Sequence, residues 1–101
     1  MPVTSDFDAN TNTLTIHIDG RFDFNCHQAF RHSYENRDVA KTHFVIDMAK
    51  TTYIDSSALG MLLLLRDHAG GDHANIRLCR CNHDVRNILT ISNFEKLFEI
   101  Q

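Results

Sequence analysis

The chain has 101 residues, 43% of them hydrophobic, with ten Lys and Arg against thirteen Asp and Glu for a formal charge of −3. That length and apolar content describe one domain with a modest core, not a disordered chain. Each half carries five cations, against seven and then six acids, and this even balance excludes a general nucleic-acid or anionic-membrane binder. No apolar run reaches the ~18 residues of a membrane span. The opening MPVTSDFDANTN has no basic stretch followed by an apolar one, so it does not read as a signal peptide. The three cysteines, Cys26, Cys79 and Cys81, are sparse and odd in number, which points to reduced thiols and a cytoplasmic setting.

Val3 to Phe7 is the first predicted strand, and the Asn- and Asp-rich stretch after it reads as a hairpin turn. TLTIHID, 13–19, alternates Leu14, Ile16 and Ile18 with polar neighbours and forms the second strand, which Gly20 ends. Asp23 or Asn25 then caps a helix carrying Cys26, Ala29, Phe30 and Tyr34 at helical spacing. THFVIDM, 42–48, is a compact apolar run suited to a strand buried on both faces. AKTTYI reads as a turn, followed by a helix from Ser56 to Ala69 with Gly70 and Gly71 as its C-cap. NIRLCRC, 75–81, alternates again, Asn82 caps a helix with Val85, Ile88 and Leu89 on one stripe, and KLFEI closes as a strand.

The order β-β-α-β-α-β-α-β predicts a single α/β domain over 1–101. Its sheet is mixed and mostly parallel, with an N-terminal β-hairpin at one edge and about three helices packed on it. Such sheets place function just beyond the carboxyl ends of their strands, where DSS, residues 55–57, opens the second helix.

Three chemistries compete for DSS. As a helix start, Asp55 or Ser56 is simply the cap and the following leucines are core. As a nucleophile, either serine would need a Gly-x-Ser-x-Gly elbow, and neither has it. No Walker or Gly-x-Gly-x-x-Gly loop is present for phosphate binding. As a phosphoacceptor, a serine would gain roughly −1.5 to −2 charges. Helix N–H groups and the dipole favour that charge by about 0.3–1 kcal/mol. Asp55, and Asp23 if the fold brings it close, oppose it. The domain would therefore stay folded, while a partner presenting apolar or acidic surface would lose affinity. Of the run Leu62 to Leu65, most is expected in the core, with Leu59 or Leu63 left as an apolar contact.

YIDSSALGMLLLLRDHA, with LTIHIDGRFDF before it and VRNILTISNFEKLF after it, resembles the STAS domain of bacterial anti-sigma factor antagonists over nearly the whole chain. The family signature Asp-Ser-Ser/Thr-Gly-hydrophobic-Gly is matched by Asp55, Ser56, Ser57, Ala58, Leu59 and Gly60. The resemblance implies that Ser56 is phosphorylated by a cognate anti-sigma kinase and that Asp23 lies beside it. Asp55, Ser57, Leu59, Gly60 and Met61 would line the docking surface with them. It further implies a monomeric binding module, not an enzyme, with no cofactor. Its partners would be an anti-sigma factor with serine kinase activity and a serine phosphatase, or alternatively another signalling enzyme governed by the same serine. Two departures stand out: Ala58 replaces the usual glycine, and the sequence reaches FEIQ where many relatives continue into another helix. Cys79, Cys81 and His83 alternate and would point the same way on an extended backbone, but they lack a fourth metal ligand. They are expected to be structural, and His27 and His32 surface residues.

Overall fold

A computed structural model describes residues 2–101. Five strands form the main sheet: β1 (Val3–Asp8), β2 (Thr13–Ile18), β4 (His43–Asp47), β6 (Ile76–Cys79) and β7 (Glu99–Ile100), in the order β1-β2-β4-β6-β7. Only β1 runs antiparallel, paired with β2 from Val3 opposite Ile18 to Asp8 opposite Thr13. The other pairings are parallel, as the crossover helices α1 (His27–Tyr34), α2 (Ser56–His68) and α3 (His83–Ile91) require.

The molecule also has a second sheet, which the sequence does not announce. β3 (Gly20–Phe22) pairs in parallel with β5 (Thr51–Ile54), so the stretch read as a turn is a strand. Gly20, with φ +86°, ends the hairpin as expected but also starts β3. The closing strand is shorter than KLFEI: Asn93, at φ 62°, stops α3, and Phe94–Lys96 form a 3-10 turn. That turn lets Phe94 stack on Phe98 with ring centroids 5.5 Å apart, both buried. Other predicted elements hold to within a residue or two at their ends.

Alternation decides which side of the sheet is dry. Leu14, Ile16, Ile18, Phe44, Ile46, Ile76 and Leu78 are buried, and the core closes with Phe30 and Tyr34 of α1, Leu62 and Leu65 of α2, and Val85 and Leu89 of α3. The opposite positions, Thr15, His17, Val45, Arg77 and Cys79, are half-buried or exposed. β4 is therefore not buried on both faces: its apolar run is interrupted in space because the helices cover one side.

One carboxylate organises the open side. Asp47 at the end of β4 is buried, bonded by the Arg80 guanidinium, by His17 Nδ1 at 2.9 Å and by the Ala49 N–H at 3.0 Å. Arg80 sits at φ 58°, a left-handed conformation that costs a non-glycine residue roughly 1–3 kcal/mol, and from there its guanidinium reaches Asp47. The same twist ends the alternation expected of residues 79–83. Cys79 faces the open side, Cys81 Sγ lies 3.8 Å from Met48 Sδ, and His83 begins α3.

Burial pushes the Asp47 carboxyl up, but the hydrogen bonds from Arg80, Ala49 and His17 outweigh it and hold it below the usual carboxylate range. A carboxyl depressed only in the folded state adds stability above its unfolded pKa, about 3.9, and that stability is lost as pH falls through the folded value. Asp47→Asn is accordingly expected to be less stable than the parent chain at neutral pH, with the gap narrowing progressively below about pH 4. Urea unfolding of both proteins across that range is the measurement; a gap independent of pH would contradict it.

Candidate functional site

The small parallel sheet explains how two distant aspartates meet. Phe22 and Ile54 are register partners, so Asp23 and Asp55 leave adjacent strand ends in the same direction. Both then cap helical turns. Asp23 accepts from the Asn25 N–H at 3.0 Å to start the 3-10 turn Phe24–Cys26, and Asp55 accepts from the Ala58 N–H at 3.0 Å to start α2. Arg21 lies behind this pair, its guanidinium 4.3 Å from the Tyr53 ring centroid and 3.5 Å from Asp23. Cys26 Sγ, buried, donates to the Arg21 carbonyl and pins the turn from below.

Asp55 therefore does the capping that the sequence left open between it and Ser56. Its backbone is extended, at φ −122° and ψ −175°, and its side chain meets the N–H three residues on, as a cap should. Ser56 is the first helical residue and is exposed; Ser57 is half-exposed. A group attached at Ser56 would stand at the positive end of a thirteen-residue helix, one residue after the Asp55 that caps it.

The remaining expected residues separate by helix phase. Ala58 is fully buried, so the methyl that departs from the family glycine packs into the core and not onto the surface. Leu59 is partly buried against the core, and Gly60 is exposed. Met61 is corrected: at 4% exposure it is a core residue, joined on the inner side by Leu62 and Leu65. Leu63 and Leu64 point outward, Leu64 at 55% exposure. Nothing lies within 4 Å of a Cβ built on Gly60, so no internal contact calls for glycine there.

The sequence pattern does not single out Phe24; the turn capped by Asp23 turns it outward. It is 69% exposed, stacked on the His27 ring at 5.6 Å, beside Asp23. Beyond it a cavity of about 390 Å³ opens between α1 and α2, lined among others by His27, Phe30, Tyr34, Met61, Leu64 and His68.

Nothing in this arrangement forms a nucleophile–base pair around Ser56. Among the described residues, no group of three or more His, Cys, Asp or Glu side chains is placed to hold a metal ion, and no helix is long and apolar enough to cross a membrane. Burial pushes the Cys79 and Cys81 thiols up, which leaves little thiolate for chemistry.

Comparison with known proteins agrees with this architecture. The chain is 55% identical over 100 residues to a STAS-domain containing protein of Pseudomonas aeruginosa (strain UCBPP-PA14), covering 99% of each. In structure it resembles a putative anti-sigma factor antagonist of Thermotoga maritima at a TM-score of 0.80, with 13% identity, over 97% of this chain and 84% of that one. It resembles the anti-sigma factor antagonist SpoIIAA in its unphosphorylated form at 0.73, with 15% identity over 98% and 86%. The phosphorylated form, from Bacillus, matches at 0.71, with 13% identity over 98% and 90%. The STAS domain profile matches residues 5–101. With that profile spanning the sheet, the helices and the DSS turn, the chain belongs to the STAS domain family.

Proposed function

We propose that this chain is an anti-sigma factor antagonist, a binding module switched by phosphorylation of Ser56. The observation that carries the reading is the division of roles at the α2 N-terminus: Asp55 caps the helix, and Ser56 is left exposed with no capping duty. A hydroxyl there is available to a kinase and replaceable without loss to the fold. Support also comes from SpoIIAA, an anti-sigma factor antagonist of the same fold with unphosphorylated and phosphorylated forms.

In the unphosphorylated state the surface around Ser56 binds an anti-sigma factor and releases the sigma factor it holds. Ser57, Leu59 and Gly60 contribute from α2, with Asp23 and Asp55 flanking; Met61 supports them from within. The kinase activity of the partner transfers the γ-phosphoryl group of ATP to Ser56 Oγ, leaving ADP, and the hydroxyl proton passes to solvent. Inside the domain, the helix dipole offsets part of the repulsion from Asp23 and Asp55. Across the interface nothing offsets it, so the complex dissociates. A serine phosphatase restores binding by hydrolysing the ester.

Peptide mass spectrometry of chain purified from its native cells is expected to find phosphate on Ser56 that phosphatase removes. Ser56→Ala should bind the anti-sigma factor like the parent, and Ser56→Asp at least about tenfold more weakly, or ~1.4 kcal/mol. Absence of phosphate in every growth state, with equal binding by all three proteins, would refute the switch. If the partner captured and released in this pattern is a different signalling enzyme, the module regulates that enzyme through the same serine.

Gly60 offers a second test, because its two effects have opposite signs. Gly60→Ala is expected to stabilise α2 by about 0.5–1 kcal/mol, since alanine is the better helix former and its methyl meets open space. The same methyl stands on the surface that a partner must approach, so binding to the anti-sigma factor should weaken. Thermal unfolding paired with titration calorimetry reads both. A gain in stability without loss of affinity would remove Gly60 from the interface.

A further inference from the structure

On the open side of the main sheet, His17 stands between two carboxylates. Its Nδ1 meets Asp47 Oδ2 at 2.9 Å, and its Nε2 meets Asp6 Oδ2 at 3.1 Å. Strand register produces this placement. Thr4 lies opposite His17 and Asp6 opposite Thr15, so Asp6 and His17 are diagonal neighbours on one face of the β1–β2 pair. Asp47 is the register partner of His17 across the parallel β2–β4 pair. One imidazole therefore spans three strands.

A neutral ring cannot make both bonds. It has one N–H donor and one acceptor nitrogen, an ionised carboxylate only accepts, and both nitrogens donate only in the imidazolium. The two carboxylates differ in freedom. The Asp47 side chain is 8% exposed and is held by Arg80 and by the Ala49 N–H, so it keeps the N–H of Nδ1. The Asp6 side chain is 83% exposed, and among the described residues its carboxylate is paired with His17 alone. The deciding proton is thus the one on Nε2. With it, Asp6 is drawn in; without it, the Nε2 lone pair faces a carboxylate oxygen and Asp6 turns to water.

The other charges around the ring leave that decision to Asp6. Arg80 is committed to Asp47, and Asp19 and Lys50, opposite in sign, line the cavity of about 410 Å³ that His17 shares with Arg80. Cys79 lies on the same face, and burial pushes its thiol up, so it carries no charge. We propose that His17 is a proton-operated clasp on the N-terminal strand: a proton taken up from solvent at Nε2 ties Asp6 of β1 to Asp47 of β4 through the ring, and its loss undoes the tie. β1 is an edge strand, held in the sheet on one side only, so such a tie governs how readily it opens. Histidine changes charge between about pH 5 and 8. The clasp closes as pH falls through that range, and its contribution is lost as pH rises. It lies on the face away from the helices and does not depend on the Ser56 switch.

The test follows ring protonation of each histidine by NMR in the full chain, from about pH 5 to 8.5, above the ordinary aspartate value of about 3.9. Asp6→Asn is expected to lower the His17 midpoint by about half a pH unit, roughly a threefold loss of proton affinity, with the other histidines unmoved. Asp8→Asn removes the same charge from the same strand, but that carboxylate accepts from the Asn10 N–H, away from His17, and should leave the midpoint in place. Both acids are exposed, so both variants keep the fold. Amide exchange reads the consequence: β1 of Asp6→Asn should exchange about threefold faster than the parent near pH 5.5 and equally fast near pH 8.5. A midpoint that moves equally in both variants would report only the field of the strand's acids, and one that moves in neither would report no contact. Either result overturns the clasp. So does an exchange ratio independent of pH, which would make Asp6 a fixed tie with no proton in control.

Discussion

A single buried threonine joins the parts of this molecule. Thr51 donates its hydroxyl to the Ile18 carbonyl at 2.8 Å, where β2 leaves the main sheet, and its own carbonyl accepts from Asn82 Nδ2 at 3.0 Å. Asn82 at the same time caps α3 through the Val85 N–H at 2.8 Å. The main sheet, the small sheet and the third helix are therefore fixed to one residue that is almost completely out of water. Buried polar groups are retained only when satisfied, and here satisfaction also sets position. Four residues after Thr51 the chain reaches Asp55, so the orientation of the α2 N-terminus is inherited from this junction.

The two sheets divide the work that follows. The main sheet holds the core on one face and a polar network on the other, centred on Asp47. The small sheet holds no more than seven residues, and its ends carry the two aspartates. Parallel pairing is what makes them neighbours, since antiparallel strands would send Asp23 and Asp55 to opposite ends.

How much of this could be read from sequence follows from the number of residues that vote. β2 and β6 show their alternation plainly, and the helical stripe of Val85 and Leu89 is clear, so the larger sheet and its helices were legible. GRF is too short to show any period. TTYI has β-prone residues, but with the alanine and lysine before it the stretch reads as a turn, and its partner strand is about 30 residues away. Helix phase was legible only in part, for a related reason: Leu63 is exposed as expected, but Met61 is buried and Leu64 exposed. From Ala58 to Leu65 every residue but Gly60 is apolar, so the run itself does not say which side is inward. Only packing separates Met61, Leu62 and Leu65 from Leu63 and Leu64. The DSS motif pointed to the candidate site, while the choice of Asp55 over Ser56 as cap needed the three-dimensional structure. Phe24 goes unmarked in the sequence because its exposure follows from the short turn that Asp23 caps, which is too brief to show a period.

The assignment of the cap to Asp55 has a consequence for how such a protein can change over generations. Selection for foldability acts on Asp55 and on the buried methyl of Ala58, and it is nearly blind to residue 56. Under the proposed switch, a single codon change there would convert a regulated module into one that is permanently active or permanently silent, with the scaffold untouched. Regulatory wiring and architecture would then be inherited separately along neighbouring residues, and lineages could gain or lose such a toggle without passing through an unstable intermediate.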